Sequence, residues 1–155
     1  MAADESTAPE RKQLVVVGVD GSAESVGALQ WAAAYAGATG ATLQAIHSWH
    51  YPGAVGGAPV GVAPESVTDE VRQRMVDTLA HAIAEGAPDV AVDQRLGYGH
   101  PAQVLVDASS EADLLVVGSR GHGAFTGMLV GSVSLHCVTH AHCPVVVVRR
   151  DALPQ

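Results

Sequence analysis

Charge is scarce in this chain, and positive charge scarcest of all. Charged residues make up 15%, Lys+Arg number 8 against 16 Asp+Glu, and Lys12 is the only lysine. A formal net charge of −8 excludes a broad basic face for nucleic acid or for an anionic membrane, and leaves only a local basic site open. Two cysteines are too few for a disulfide framework and read as reduced thiols. No apolar run approaches a membrane span; a typical one, Val145 to Val148, is four residues long. The start, MAADESTAPERKQ, is polar and acidic with no apolar centre, so no signal peptide is expected there. These features point to a cytoplasmic protein with a disordered tail over residues 1–12 and a single domain over 13–151.

Hydrophobic residues make up 48% of the 155 positions, enough for a packed core. A chain of this length buries roughly two-thirds of its unfolded surface and needs no staples. Leu14 to Val19 is a short β-branched run ending in Asp20-Gly21-Ser22, the pattern of a strand buried on both faces. Asp20 or Ser22 can cap the Ala-rich helix expected over Ala23 to Ala38, which Gly40 terminates. Thr42 to Trp49 returns to strand character. Seven Gly and Pro residues between Pro52 and Pro64 mark a long loop, and Glu65 to Glu85 has helical spacing. Val90 to Leu96 alternates with Asp93 and Arg95, as an edge strand does. Pro101 opens a helix to about Ser109, and Asp113 to Val117 is a further buried strand. A helix from about Ser132 to His140 and a strand from Pro144 to Arg149 complete the chain. Strand and helix alternate throughout, which implies a parallel sheet covered by helices on both faces.

The strongest local signal follows the fourth strand. Gly118, Gly121, Gly131 and Ser132 form G-x2-G-x9-G-S, a pattern this composition yields by chance roughly 0.02 times in a chain of this length. Glycines let backbone N–H groups approach an anion, and the helix opened by Gly131-Ser132 adds unpaired donors and partial positive charge. The hydroxyls of Ser132 and Ser134 are further candidate donors to a polyphosphate. No Lys follows the glycines, so this is not a Walker loop, and the spacing is not the dinucleotide fingerprint. A flexible Gly-rich connection is the other reading of the same residues.

His136, Cys137, His140, His142 and Cys143 cluster near the end of the chain. His136 and His140 share a helix face, but Cys137 points roughly 100° away from His136, and the spacing matches no standard zinc pattern. Packing or surface roles are expected for them, with no metal site. His47 is expected near a base pocket and His122 lies inside the Gly-rich loop. No spacing specifies a Ser-His-Asp triad, and no nucleophile or base stands out.

VVVGVDGS (Val15 to Ser22), IHSW (Ile46 to Trp49), ADLLVVGSRGHGAFTGMLVGSVS (Ala112 to Ser134) and HAHCPVVVVR (His140 to Arg149) occur in this order. Together they resemble the universal stress protein family, in its ATP-binding branch. The resemblance implies an open five-stranded parallel sheet of order 3-2-1-4-5, adenine-nucleotide alpha-hydrolase-like, usually dimeric, binding ATP, AMP or another adenine nucleotide, with Mg²⁺ a possible companion. It places Asp20 by the ribose or by metal-bound phosphates, with Val19 beside it. It places Ser48 where backbone groups face the adenine. Gly118, Gly121, Gly131, Ser132, Val133 and Ser134 fall in the phosphate and ribose loop. Arg120 holds a variable position there, open to a phosphate pairing or to a solvated role.

In that strand order strands 1 and 4 are neighbours whose connections diverge, and ligands bind at such a switch point. The same order leaves strand 5 at an edge. Val145, Val146, Val147 and Val148 make that edge flat and apolar, so a homodimer paired through it is expected. The function expected is that of a nucleotide-binding stress-response sensor or regulator, with at most slow ATP hydrolysis if Asp20 helps hold Mg²⁺. The other reading is a dimeric interaction module with a vestigial or metal-linked site. An adenylate-transferring enzyme would need a catalytic constellation that the sequence does not offer.

Overall fold

Val15, Val16 and Val17 are completely buried, and alternate residues among them serve two separate cores. They lie in β1 (Leu14–Gly18), the middle strand of a five-stranded sheet. A computed structural model describes residues 10–49, 68–122 and 127–152. After β1 come α1 (Ala23–Thr39), β2 (Thr42–Trp49), α2 (Asp69–Gly86), β3 (Val92–Tyr98), α3 (Pro101–Ser109), β4 (Leu114–Gly118), α4 (Ser132–His140) and β5 (Val145–Val148). The sheet order is β3-β2-β1-β4-β5, and every pairing is parallel. One register row runs Asp93, Gln44, Val16, Leu115, Val145 across all five strands.

Because side chains alternate across a strand, Val15, Val17, Ala45 and Val116 pack under α1 and α2, while Val16, Ile46, Leu115 and Val117 pack with Leu105 of α3 and Cys137 of α4. Helix α1 meets the sheet through small residues, with Ala28, Ala32, Ala33 and Ala36 buried beside Leu29. The small face lets the helix approach closely. A Cβ on Gly118 would lie 2.9 Å from the Glu24 backbone.

Both ends of α1 are made as the sequence indicates. Ser22 is the N-cap, its Oγ accepting the Ser25 N–H at 3.2 Å. Gly40 closes the helix with φ +74°, its N–H donating to Ala36 O at 2.8 Å. Pro101 opens α3 as expected.

Two boundaries differ from the sequence reading. The third strand runs Val92–Tyr98, two residues later than the expected Val90 to Leu96. Val90 is held in a turn, its N–H donating to Ala87 O, and register with Leu43 begins at Val92. Gly97 lies inside the strand, because a Cβ there would meet Val104 Cγ1 at 2.5 Å; this glycine serves a close helix approach. Helix α2 starts at Asp69 after the N-cap Thr68, whose Oγ1 accepts the Val71 N–H. The expected helix start at Glu65 and the loop over Pro52 to Pro64 lie outside the described residues, as do residues 1–9 of the N-terminal tail. Within the rest of that tail, Arg11 pairs with Asp113 at 2.7 Å.

Candidate functional site

At the carboxyl ends of β1 and β4 the chain departs toward opposite faces, to α1 on one side and to α4 on the other. The divergence opens a cleft of about 410 Å³, within the roughly 300–1,000 Å³ typical of small-molecule sites. Strand β1 leads into it through Val19 and Asp20, and β2 contributes Ser48. Gly118 ends β4, Arg120 and Gly121 follow in the loop, and Gly131, Ser132, Val133 and Ser134 open α4. All ten residues singled out from the sequence thus line one cavity. Ile46, Leu105 and Val117 line it too and give it an apolar wall.

Asp20 ties the two loops together. Its Oδ1 accepts the N–H of Ser22 at 2.9 Å and the Ser22 hydroxyl, and its Oδ2 accepts the His122 N–H at 3.1 Å. Ser22, not Asp20, is the cap of α1, so the carboxylate orients the cap and anchors the Gly-rich loop. Burial alone would push the Asp20 pKa up. The hydrogen bonds from the Ser22 side chain and N–H, from His122 and from Ser25 outweigh it, and the group is held below its ordinary value. Gly121 leaves room for this carboxylate: a Cβ on it would lie 2.5 Å from Asp20 Oδ2 and would have to displace it.

Gly131 is the N-cap of α4 and offers no side chain, so no side-chain acceptor closes the first turn. Its own N–H donates to Ser119 O at 2.6 Å, which fixes the far end of the loop beside β4. The N–H groups at the start of α4 therefore reach the cleft at the positive end of a helix dipole. The Ser134 hydroxyl does not join them as a donor. It is buried and donates to the Gly118 carbonyl. Ser132 is exposed at the cleft.

His47 is not among the cleft residues. It sits on the opposite face of β2, its Nδ1 donating to the Val19 carbonyl at 2.7 Å, so it fixes the strand end from behind. A carbonyl only accepts, which places the proton on Nδ1. Arg120 lines the cleft and approaches Glu24 of α1 at 3.7 Å. Ile46 was legible from the period of two that relates it to Ser48; Leu105, Pro101, Ser25 and Met128 carry no local signal. In the His/Cys cluster, Cys137 of α4 is fully buried in the core with Leu105 and Ala108 of α3, and burial pushes its thiol up to about 11. His136 and His140 stack with ring centroids 4.2 Å apart. Among the described residues no group of three His, Cys, Asp or Glu side chains is arranged to hold a metal ion.

The described helices include none long and apolar enough to cross a membrane. A universal stress protein of Mycolicibacterium smegmatis is 38% identical over 146 residues, covering 94% of this chain and 49% of that protein. The chain spans about half the length of the curated relatives it matches. Among solved structures, a universal stress protein in complex with cAMP has a TM-score of 0.62 at 29% identity, over 88% of this chain and 96% of that one. The universal stress protein UspA from Lactobacillus plantarum has a TM-score of 0.64 at 24% identity, over 90% and 99% of the two chains, a likeness of fold. The profile of the universal stress protein family matches residues 13–149, from β1 to β5 with all four helices between them, and to that family this chain belongs.

Proposed function

We propose that the cleft binds an adenine nucleotide, ATP or a related adenosine phosphate, and that occupancy is the signal of a stress-response sensor or regulator. The observation that carries this reading is the meeting of an apolar wall with an uncapped helix N-terminus in one cleft. A base needs the first and a phosphate needs the second. The structure solved with cAMP, at 29% identity, supports an adenine nucleotide as the ligand class.

On this reading the backbone beside Val19 and Ser48 receives the adenine, and Asp20 faces the ribose or a phosphate-bound cation. Gly118, Gly121, Gly131, Ser132, Val133 and Ser134 surround the ribose and phosphates, and Arg120 pairs with a phosphate. Asp20 is the one carboxylate among the described residues lining the cleft. A single carboxylate suits Mg²⁺, which keeps most of its waters and takes its other ligands from phosphate oxygens.

The output is carried by a homodimer. Val145, Val146 and Val147 are half-buried in the single chain. Leu115 N–H donates to Pro144 O and Ser119 N–H to Val148 O, so the even-numbered residues of β5 face β4. By alternation Val145 and Val147 turn their N–H and C=O groups to the open edge, where the same strand of a second copy can pair with them. The protein acts in the cytoplasm on this reading.

Calorimetry with ATP, ADP, AMP and cAMP, each with and without Mg²⁺, tests the ligand. Saturable one-site binding of at least one of them, abolished in Gly131→Val, supports the reading. A protein that binds none of the four, or a folded Gly131→Val variant with unchanged affinity, removes it.

A further inference from the structure

Arg120 is the one guanidinium or ammonium group among the described residues that line the cleft. It stands in the loop after β4, between buried Ser119 and Gly121. Its Nη2 lies 3.7 Å from Glu24 Oε1, with the Arg120 side chain 40% exposed and that of Glu24 23% exposed. At this distance the pair is a charge contact without a hydrogen bond, so the five guanidinium donors keep their capacity for another acceptor.

Glu24 is not a cleft residue. It belongs to the first turn of α1, behind the loop, and its place is set by the frame of the fold. The Glu24 backbone rests on Gly118, where even a methyl group would come within 2.9 Å. A negative charge is favoured in that first turn by the helix dipole. One partner of the ion pair is therefore fixed on a helix, while the other is carried by a loop. A phosphate entering the cleft meets one lining carboxylate, Asp20, and one guanidinium, which Glu24 holds from outside the cleft.

We propose that Glu24 is a specificity-determining latch, holding Arg120 by charge until a ligand phosphate takes the guanidinium over. Glu24 then sets how strongly the cleft prefers a phosphorylated nucleotide to the bare nucleoside. This rests on the adenine-nucleotide reading above. A guanidinium paired with a phosphate gains bidentate, charge-assisted hydrogen bonds that the 3.7 Å contact lacks, so the exchange favours the ligand. Adenosine, without a phosphate, leaves the latch closed.

The test is calorimetry of AMP, ATP and adenosine on the wild-type chain, Glu24→Gln, Glu24→Asp, Arg120→Ala and the Glu24→Gln/Arg120→Ala double variant, with melting curves to confirm folding. Glu24→Gln should bind AMP and ATP roughly two- to fivefold more tightly, the range of a partly exposed ion pair, with adenosine unchanged. Glu24→Asp, which keeps the charge but withdraws it by one methylene, should give a smaller gain in the same direction. In the Arg120→Ala background the gain should vanish. Unchanged or weaker AMP and ATP binding by Glu24→Gln overturns the latch, as does an equal gain for adenosine or a gain that persists without Arg120. If the wild-type chain binds neither AMP nor ATP, the latch falls, and the nucleotide reading falls with it when ADP and cAMP also fail to bind; if it binds AMP or ATP and only the Glu24 effects are missing, the latch alone fails.

Discussion

The Asp20 carboxylate accepts the backbone N–H of His122, 102 residues away in the chain, at 3.1 Å. That bond joins the end of β1 to the Gly-rich loop after β4 through one side chain.

Asp20→Asn should therefore loosen the loop and weaken nucleotide binding, and Asp20→Ala should do both more strongly. Loss of a charged acceptor predicts on the order of 1.5–3 kcal/mol of affinity if the carboxylate also contacts ribose or a phosphate-bound cation. The folded-state pKa of Asp20 lies below its ordinary value. Its ionised form thus contributes stability fully above the unfolded-state value of about 3.9, and loses it as pH falls through the lower folded value. Urea midpoints of wild type and Asp20→Asn should differ by a constant amount between about pH 5 and 7 and converge below about pH 4. A gap that stays constant down to low pH would show that Asp20 is not the titrating anchor.

The two glycines that bound the loop should respond differently to a methyl group. Gly118→Ala places a Cβ 2.9 Å from the Glu24 backbone, a contact that no side-chain movement relieves. It should cost about 1–3 kcal/mol of stability. Gly131→Ala meets nothing closer than 3.4 Å and sits at φ −75°, so its melting temperature should stay near that of wild type. Equal melting temperatures for the two variants would contradict the close seating of α1 on β4.

Ser134 and Ser132, two residues apart, should separate stability from binding. Ser134→Ala removes a buried hydroxyl bound to the Gly118 carbonyl and should lower stability by about 1 kcal/mol while leaving nucleotide affinity within twofold. Ser132→Ala, at the exposed start of α4, should spare stability and reduce affinity. Thermal melts beside calorimetry read both, and the reverse assignment would mean that the Ser134 hydroxyl is available to the ligand after all.

Val147→Pro should break the proposed homodimer and leave the sheet intact. The outward N–H of Val147 has no role in the ladder to β4, so its removal touches only the pairing at the open edge. Light scattering at micromolar concentration should show a wild-type dimer and a folded monomeric variant. A wild-type monomer would exclude the edge pairing.

Much of the fold can be read from single segments, because its signals are local. The run Leu14 to Val17, the cap Ser22, the terminator Gly40 and the opener Pro101 each act within a few residues, and all behave as their chemistry dictates. Val92 to Tyr98 was displaced because strand ends are set by register with a neighbour, here Leu43 opposite Val92, which no local pattern records. The cleft was legible to the same extent. Gly118, Gly121 and Gly131 announce themselves by spacing. What each side chain does there depends on through-space partners: Ser134 turns inward to Gly118, His47 backs Val19 from the other face, and Glu24 reaches Arg120 across the α1–β4 contact. Those pairings follow from the sheet order and from the close approach of α1, and neither is written in any one stretch of chain.

On the proposed reading, nucleotide phosphate is received by backbone N–H groups at the Gly-rich loop and the start of α4. An amide-resolved NMR titration with AMP and with ATP tests it directly. The expected result is saturable shifts largest at Gly121, Ser132, Val133 and Ser134, with Ser48 shifting as the base enters and β3 undisturbed. Saturable binding whose shifts fall elsewhere, with those amides unmoved, would contradict it.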